Sequence, residues 1–123
     1  MWTAWKLLEL EPELDVLVLE AARCGHGPSG RNGGFCETLW GDAPTLRELA
    51  NDAAALAVCR ASEDAVRGIG AWCEGNGVDA WFRNAPMLQV ATTESQLGSW
   101  DDAVRAAAEL DAASEVIAVS AED

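Results

Sequence analysis

Residues 14–35 read LDVLVLEAARCGHGPSGRNGGF, an apolar run that leads through Glu20 into a glycine-rich loop. The uninterrupted apolar residues 16–19 are typical of a strand that is buried on both faces of a parallel sheet. Glycines weaken helices and strands, so their cluster over residues 25–34 indicates tight turns or backbone lying against a ligand. An ordinary surface loop is the alternative. The segment predicts an α/β fold with a candidate ligand loop behind one strand.

The residues before this segment are predicted to form a helix. Residues 2–11 place apolar side chains at helical spacing, and Pro12 ends the helix before the apolar run begins. Helix, short turn and buried strand form half of a βαβ unit, and its first strand is expected upstream of Met1. We therefore expect a partial Rossmann-like domain that lacks its first strand and its G-x-G-x-x-G turn.

A literal G-x-G-x-x-G does occur over residues 25–30. In dinucleotide-binding folds this motif follows the strand directly, opens a helix, and precedes an acidic residue by roughly 20 positions. Here residues 21–24 intervene, Pro28 falls inside the match, and the region at the expected distance is predicted to be helical. The match therefore does not predict the pyrophosphate-binding turn.

Glu20 supports a different interpretation of the loop. It closes the apolar run where the second strand of a dinucleotide fold carries the acid that accepts hydrogen bonds from ribose hydroxyls. The loop over residues 25–34 would then lie toward the pyrophosphate and the cofactor ring, with its glycines letting backbone N–H groups approach the anion. A solvated strand end is the alternative for Glu20.

The rest of the chain predicts the start of a mixed α+β region. Thr45 and Glu48 match a capping box that opens a helix to about Gly75 or Gly77. Residues 80–83 and 87–91 are predicted as a hairpin. The later predicted elements are a helix opened by Thr93 and Gln96 and ending near Leu110, a strand over residues 115–119, and the first turn of another helix over residues 120–123. No linker is visible, so residues 1–123 are predicted as a single partial domain.

Charge and cysteine content exclude several functional classes. The formal net charge is -13, from 21 acidic and 8 basic residues. No basic stripe is present, so nucleic acid is not an expected partner. Four cysteines without a C-x-x-C pair, together with one histidine, predict reduced thiols and no metal site. We expect no membrane span and, without a leader pattern, a cytoplasmic location.

Other residue types in the chain have mainly structural interpretations. His26 has no partner serine or cysteine motif, so a catalytic base is disfavoured against a structural or solvated histidine. Cys24 and Cys36 flank the loop, and inert packing is favoured over a reactive thiol. The tryptophans are expected in the core or at an interface, and the acidic pairs at residues 63–64 and 101–102 on solvated helix faces.

The quoted segment resembles the one that follows the first helix in FAD-dependent oxidoreductases of the D-amino-acid oxidase (DAO) superfamily, within the γ-glutamylputrescine oxidoreductase-like subgroup. WTAWKLLELEPELDV resembles that family's helix behind the glycine-rich turn, and MLQVATTESQLGSWDDAV resembles a later strand and helix. The resemblance implies a partial FAD-binding domain. It also implies a parent enzyme that oxidises a C–N bond of a small amine or amino acid by hydride transfer to flavin.

The resemblance further implies cofactor contacts at matching positions. Glu20 would bind the adenosine ribose, and the backbone of Ala21 would lie near the adenine. The diphosphate and flavin side would be lined by Ser29, Gly30, Arg31, Asn32, Gly33 and Gly34. Arg31 would offset phosphate charge, although an exposed loop arginine is an equal alternative, and Pro28 departs from the alanine common in the family. No catalytic residue is assigned.

Segments that the family needs for substrate binding and for the rest of the flavin site are expected to be missing. We therefore expect the isolated chain to be inactive and to self-associate through exposed edges and tryptophans. Two other interpretations stay open at this point. The chain could be a small acidic protein-interaction module without a cofactor, or a decayed fragment without a function.

Overall fold

The computed structural model describes residues 1–120. The chain divides into two compact units, of which the first is Met1–Phe35 and the second begins at Cys36. The α-helices are α1 (Trp2–Leu10), α2 (Ala43–Leu49), α3 (Asp52–Gly75) and α4 (Asp101–Glu109). Within residues 1–120, short 3-10 helices lie at Pro28–Gly30, Leu39–Asp42 and Glu94–Gln96. Residues 1–120 contain no β-strand, so the predicted α/β Rossmann-like fold is wrong for this part of the chain.

The first unit begins with α1, which confirms the helix predicted from apolar spacing. The helix ends at Leu10, and the N–H of Glu11 still donates to the carbonyl of Leu7. Trp2 and Trp5 pack edge to face with ring centroids 5.3 Å apart. None of the residues of α1 is buried, so the helix depends on local contacts for its stability within this unit.

The apolar run over residues 16–19 is extended, but it is not a buried strand. Leu17 and Leu19 are 80% and 84% exposed. A strand is stabilised by hydrogen bonds to a neighbouring strand, and no ladder partner lies in the described part of the chain. The sequence pattern predicted burial between two layers, and that prediction is wrong because neither layer is present among these residues.

The second unit has a small hydrophobic core built by α2, α3, α4 and the turn at Leu39–Asp42. Its buried members are Trp40, Ala43, Ala55, Cys59, Ala106, Ala107, Leu110 and Ala112. Most of these side chains are small, which lets helix backbones approach closely but buries little apolar area per residue. Trp40, at 3% exposed, is the one large aromatic ring of this core.

A break separates α2 from α3 where the sequence predicts one continuous helix. The Asn51 side chain accepts a hydrogen bond from the N–H of Ala54 (3.0 Å) and so caps a new helix. Ala50 has φ -137° and ψ -94°, which is not helical. The predicted capping box at Thr45 does not open α2, which starts at Ala43. The predicted end of this helical stretch near Gly75 is confirmed, because α3 ends at Gly75.

The predicted hairpin over residues 80–91 and the predicted strand over residues 115–119 are absent as paired strands from the described structure. The helix predicted from Thr93 starts only at Asp101. Gln96 accepts hydrogen bonds from the N–H and the hydroxyl of Thr92, at 2.8 and 3.0 Å, which closes a tight turn instead of opening a helix. Beyond Ser120, the helix predicted over residues 120–123 lies outside the described residues.

Within residues 1–120, no helix combines the length and the apolar character that a membrane span requires.

Candidate functional site in the glycine-rich loop

The glycine-rich loop belongs to the first unit and is built from successive tight turns. Gly25 has φ +76°, a left-handed conformation that glycine adopts without a steric penalty. The N–H of His26 donates to the carbonyl of Arg23 (3.1 Å). Pro28 then opens the short 3-10 helix Pro28–Gly30, with φ preset by its ring. The loop therefore curls back on itself before it reaches Arg31.

Gly30 has a packing reason to be glycine. A Cβ at this position would lie 1.8 Å from the carbonyl oxygen of Gly25, which no side chain could tolerate without moving the backbone. Gly34 has φ +82° and so also needs glycine for its conformation. A Cβ at Gly27 would meet no atom within 4 Å. Backbone geometry within the loop thus explains some of the glycines, and it leaves others without a packing reason.

Asn32 holds the second half of the loop together. Its side-chain nitrogen donates to the carbonyl of Ser29 (3.0 Å), and its side-chain oxygen accepts from the N–H of Gly34 (2.8 Å). The second contact is an Asx turn, which the sequence Asn-Gly-Gly could have indicated in advance. The predicted cofactor contact of Asn32 therefore competes with a structural role that both ends of its amide already perform.

The Glu20 side chain lies at the surface, and its carboxylate bends back to the backbone two residues later in the chain. Its Oε1 accepts a hydrogen bond from the N–H of Ala22 (3.0 Å). Its second oxygen has no hydrogen bond to the described residues and is open to an external donor. Ala21, between the two, is exposed. Glu20 can therefore accept at least one hydroxyl donor without breaking an existing contact.

Arg31 is exposed and has no carboxylate partner within residues 1–120. Arg23 and Arg83 likewise have no ion pair in residues 1–120, whereas ion pairs engage Arg47, Arg60, Arg67 and Arg105. Arg31 differs from the other unpaired arginines in its place inside the glycine-rich loop, directly after the 3-10 helix Pro28–Gly30. Because guanidinium binds phosphate through charge-assisted hydrogen bonds, Arg31 has the chemistry for a diphosphate group.

Several backbone donors of the loop are already engaged. The N–H of Gly30 donates to Gly27 (3.1 Å) and that of Arg31 donates to Pro28 (3.0 Å). The N–H of Gly34 donates to Asn32. These three groups could contact an anion only if the turns opened or the hydrogen bonds were shared. In this loop conformation, the exposed Ser29 hydroxyl and the Arg31 side chain are better placed to donate than the N–H groups of Gly30 and Gly34.

The other reactive side chains do not form a catalytic or metal cluster in the described chain. No group of three or more His, Cys, Asp and Glu residues lies close enough to hold a metal ion in residues 1–120. Cys24 and Cys36 are exposed free cysteines, whereas Cys59 and Cys73 are buried. No nucleophile and base are brought together at the loop, and no residue there is assigned a catalytic role.

Comparison with known proteins identifies the family of this chain. The model of the family described as DAO, FAD dependent oxidoreductase, matches residues 1–123. The chain belongs to this family. Neither a curated protein nor a solved structure matches the chain. The family is FAD-dependent, and its match covers the candidate loop together with the helices α1–α4 of the described residues.

The loop of this DAO-family protein fits part of an FAD molecule by its chemistry. The ribose hydroxyls of FAD need an acceptor such as the Glu20 carboxylate, and its diphosphate needs a cation such as Arg31. The Ser29 hydroxyl adds a neutral donor. Gly30, Asn32 and Gly34 instead maintain the turns of the loop, while Gly33 makes no hydrogen bond that the loop requires. Glu20, Ser29 and Arg31 each have a side-chain group available for such a contact, and the contacts themselves stay predictions.

Proposed function

We propose that the glycine-rich loop binds the adenosine diphosphate portion of FAD in an oxidoreductase of the γ-glutamylputrescine oxidoreductase-like subgroup. The complete enzyme would oxidise a C–N bond of a small amine or amino acid, and we place it in the cytoplasm. When bound, the flavin supplies the hydride acceptor. The residues of this chain position the cofactor: Glu20 accepts from the ribose, and Arg31 and Ser29 donate to the diphosphate.

The single observation that carries this proposal is the place of Arg31, an exposed guanidinium without an ion pair in residues 1–120 that lies inside the glycine-rich loop of a DAO-family chain. A hydrogen bond to a charged group contributes about 1.5–3 kcal/mol when its partners are well placed. Solvent screening reduces that value for an exposed side chain such as Arg31. We therefore expect a contribution at the lower end of this range.

The first test replaces Arg31. Arg31→Ala should weaken FAD binding about tenfold, which corresponds to roughly 1.4 kcal/mol. The dissociation constant can be measured by the fluorescence anisotropy of FAD titrated with the 123-residue chain at low salt. Arg23→Ala is the matched control, because it removes the same charge from an exposed arginine eight positions earlier in the sequence. Equal losses in both variants would contradict a specific phosphate contact at Arg31.

The second test separates the two ends of the cofactor. Glu20→Gln should weaken FAD binding severalfold, because the ribose hydroxyls lose a charged acceptor. Binding of FMN, which has no adenosine ribose, should not change in this variant. Glu13→Gln, at an exposed position of the same unit, controls for the change in net charge. Unchanged FAD affinity in Glu20→Gln would contradict the proposed hydrogen bond between Glu20 and the ribose.

A protein-interaction module without a cofactor is the second candidate function. It is favoured by the second unit, which has a hydrophobic core of its own. In that case the chain would unfold cooperatively, and its melting temperature would not rise on addition of FAD. Ligand binding to the folded state raises stability by mass action, so a rise that grows with FAD concentration would contradict this alternative.

A further inference from the structure

Two Asn-Gly sequences lie in the chain, at residues 32–33 and 76–77. In such a pair the glycine nitrogen can attack the side-chain carbonyl of the asparagine, because glycine has no Cβ to shield that nitrogen and its backbone turns freely. Asn32 and Asn76 are both exposed, so access to water does not distinguish them. Their hydrogen bonds and their places in the fold do distinguish them.

The backbone nitrogen of Gly33 is available for this attack. Its N–H makes no hydrogen bond within residues 1–120, and it lies in a segment without helical structure. The Oδ1 of Asn32 accepts from the N–H of Gly34 (2.8 Å), and the ring that this hydrogen bond closes contains both the Asn32 Cγ and the Gly33 nitrogen. A donor to Oδ1 also stabilises the negative charge that develops there when a nucleophile adds to the carbonyl.

The second Asn-Gly pair is held at the end of α3. Asn76 is the C-cap of this helix, and its side-chain nitrogen donates to the carbonyl of Trp72 (2.8 Å). The N–H of Gly77 donates to the carbonyl of Glu74 (3.2 Å). Attack by the Gly77 nitrogen on the Asn76 side chain therefore requires that the end of the helix open first.

We propose that Asn32 is a site of spontaneous deamidation, whereas the end of α3 protects Asn76. The Gly33 nitrogen loses its proton to water and forms a bond to the Asn32 Cγ. The Cγ–Nδ2 bond then breaks, and the amide nitrogen takes up a proton from water and leaves as ammonia. A second water molecule opens the resulting cyclic imide at either of its carbonyls, which yields aspartate or isoaspartate.

The products change the chemistry of the glycine-rich loop. A carboxylate at position 32 no longer donates to the carbonyl of Ser29, and it adds a negative charge directly after Arg31. Isoaspartate also inserts the Cβ atom into the backbone of the turn. Deamidation should therefore weaken the binding of a phosphate group at Arg31. This consequence rests on the proposed function, whereas the reaction itself does not.

Mass spectrometry of the folded chain tests the site. After incubation at mildly alkaline pH, cleavage after glutamate in mild acid places Asn32 in the peptide of residues 21–37 and Asn76 in that of residues 75–94. We expect Asn32 to convert at least about tenfold faster than Asn76, because the helix end must open locally before Asn76 reacts. In urea, the two rates should become similar. Similar rates in the folded chain, or no conversion at Asn32, would overturn the proposal.

Matched glycine variants test the attacking atom. Gly33→Ala should slow conversion of Asn32 severalfold, because a Cβ hinders the nitrogen, and only the Phe35 side chain, 3.3 Å from that Cβ, has to shift. Gly27→Ala places a Cβ in open space of the same loop and should leave the rate unchanged. Equal slowing in both variants would assign the reaction to general loop flexibility and would contradict a specific role of Gly33.

Asn32→Asp supplies one product directly and tests the consequence for the cofactor. It should weaken FAD binding severalfold, whereas Asn84→Asp adds the same charge at an exposed position of the second unit and should not. Wild-type affinity in Asn32→Asp would overturn the consequence. If the wild-type chain itself does not bind FAD, the FAD proposal fails together with this consequence, and the measured rates at Asn32 and Asn76 still decide the deamidation site.

Discussion

Glu63 is a buried carboxylate of α3 that binds the indole of Trp40, in the turn at Leu39–Asp42. The acidic pair at residues 63–64 predicts a solvated helix face, yet Glu63 is only 8% exposed. Its carboxylate accepts from the indole of Trp40 (2.6 Å) and from Arg60 (2.9 and 3.2 Å). Arg60 in turn contacts Glu115 (2.8 Å). The prediction is wrong for Glu63 because helical spacing does not reveal that a tryptophan from another element will cover one position.

The protonation of Glu63 should govern part of the acid sensitivity of the fold. Burial by itself raises the pKa of Glu63, but the hydrogen bonds from Trp40 and Arg60 outweigh it and hold the pKa below the usual value of 4.5. A depressed folded-state pKa contributes stability above the unfolded-state value, and this stability is lost as the pH falls through the folded-state value. The free energy of unfolding should therefore fall below about pH 4.5.

Glu63→Gln isolates this contribution. The variant should lose about 1–3 kcal/mol at pH 7, because the charged hydrogen bonds to Trp40 and Arg60 are weakened. It should also lose less stability than the wild type on acidification. Urea unfolding followed by tryptophan fluorescence measures both effects. Asp64→Asn, at the exposed neighbour, should change stability by less than about 0.5 kcal/mol. Parallel pH profiles for the wild type and Glu63→Gln would contradict the assignment.

At the scale of secondary-structure elements, the local sequence predicted helices more accurately than it predicted strands. α1 and the end of α3 lie where spacing, proline and glycine predict them. The strands predicted over residues 16–19, 80–91 and 115–119 are not paired in the described chain. A helix satisfies its backbone within one segment, whereas a strand needs a partner distant in the sequence.

Asn51 determines where α3 begins and can be tested directly. Asn51→Ala should lower the free energy of unfolding by about 1 kcal/mol, because the N–H of Ala54 loses its side-chain acceptor. Asn51→Asp keeps an acceptor at the cap and should stay near the wild-type value. Urea unfolding monitored by circular dichroism gives the comparison. A wild-type stability in Asn51→Ala would mean that packing, and not the cap, fixes the start of α3.

At the scale of the whole molecule, the described residues expose many large apolar side chains. Leu88, Val90 and Ile117 are 73%, 66% and 68% exposed. Extended apolar segments with unpaired backbone are templates for pairing with another chain. The net charge of -13 opposes such contact, and salt screens that repulsion. We therefore expect self-association that increases with protein concentration and with ionic strength.

Sedimentation velocity at several concentrations measures this association. Val90→Lys should shift the chain toward the monomer, because it replaces an exposed apolar group with a charge. Gln89→Lys adds the same charge next to it without removing an apolar group, and it should have a smaller effect. Equal effects of the two substitutions would indicate that net charge, and not the apolar surface of residues 87–91, controls association.

The candidate site was predictable only in part. The position of Glu20 and the glycine pattern identified the loop, and its family was correctly anticipated from the same residues. The engagement of Gly30 and Asn32 in the turns of the loop could not be derived, because it depends on how the backbone closes after Pro28. The cofactor contacts themselves stay predictions.

The sequence by itself determined α1 and the end of α3, the tight turns of the glycine-rich loop, the acidic charge and the family of the protein. These properties depend on neighbouring residues or on the pattern of side chains along the chain. Only the tertiary structure decided that the apolar runs stay unpaired, that Glu63 is buried beneath Trp40, and that Gly70 accommodates Phe82. Each of these features depends on which residues, distant in the sequence, come together in space. The stabilising free energy of such contacts is gained only when the packed elements exclude water from their interface.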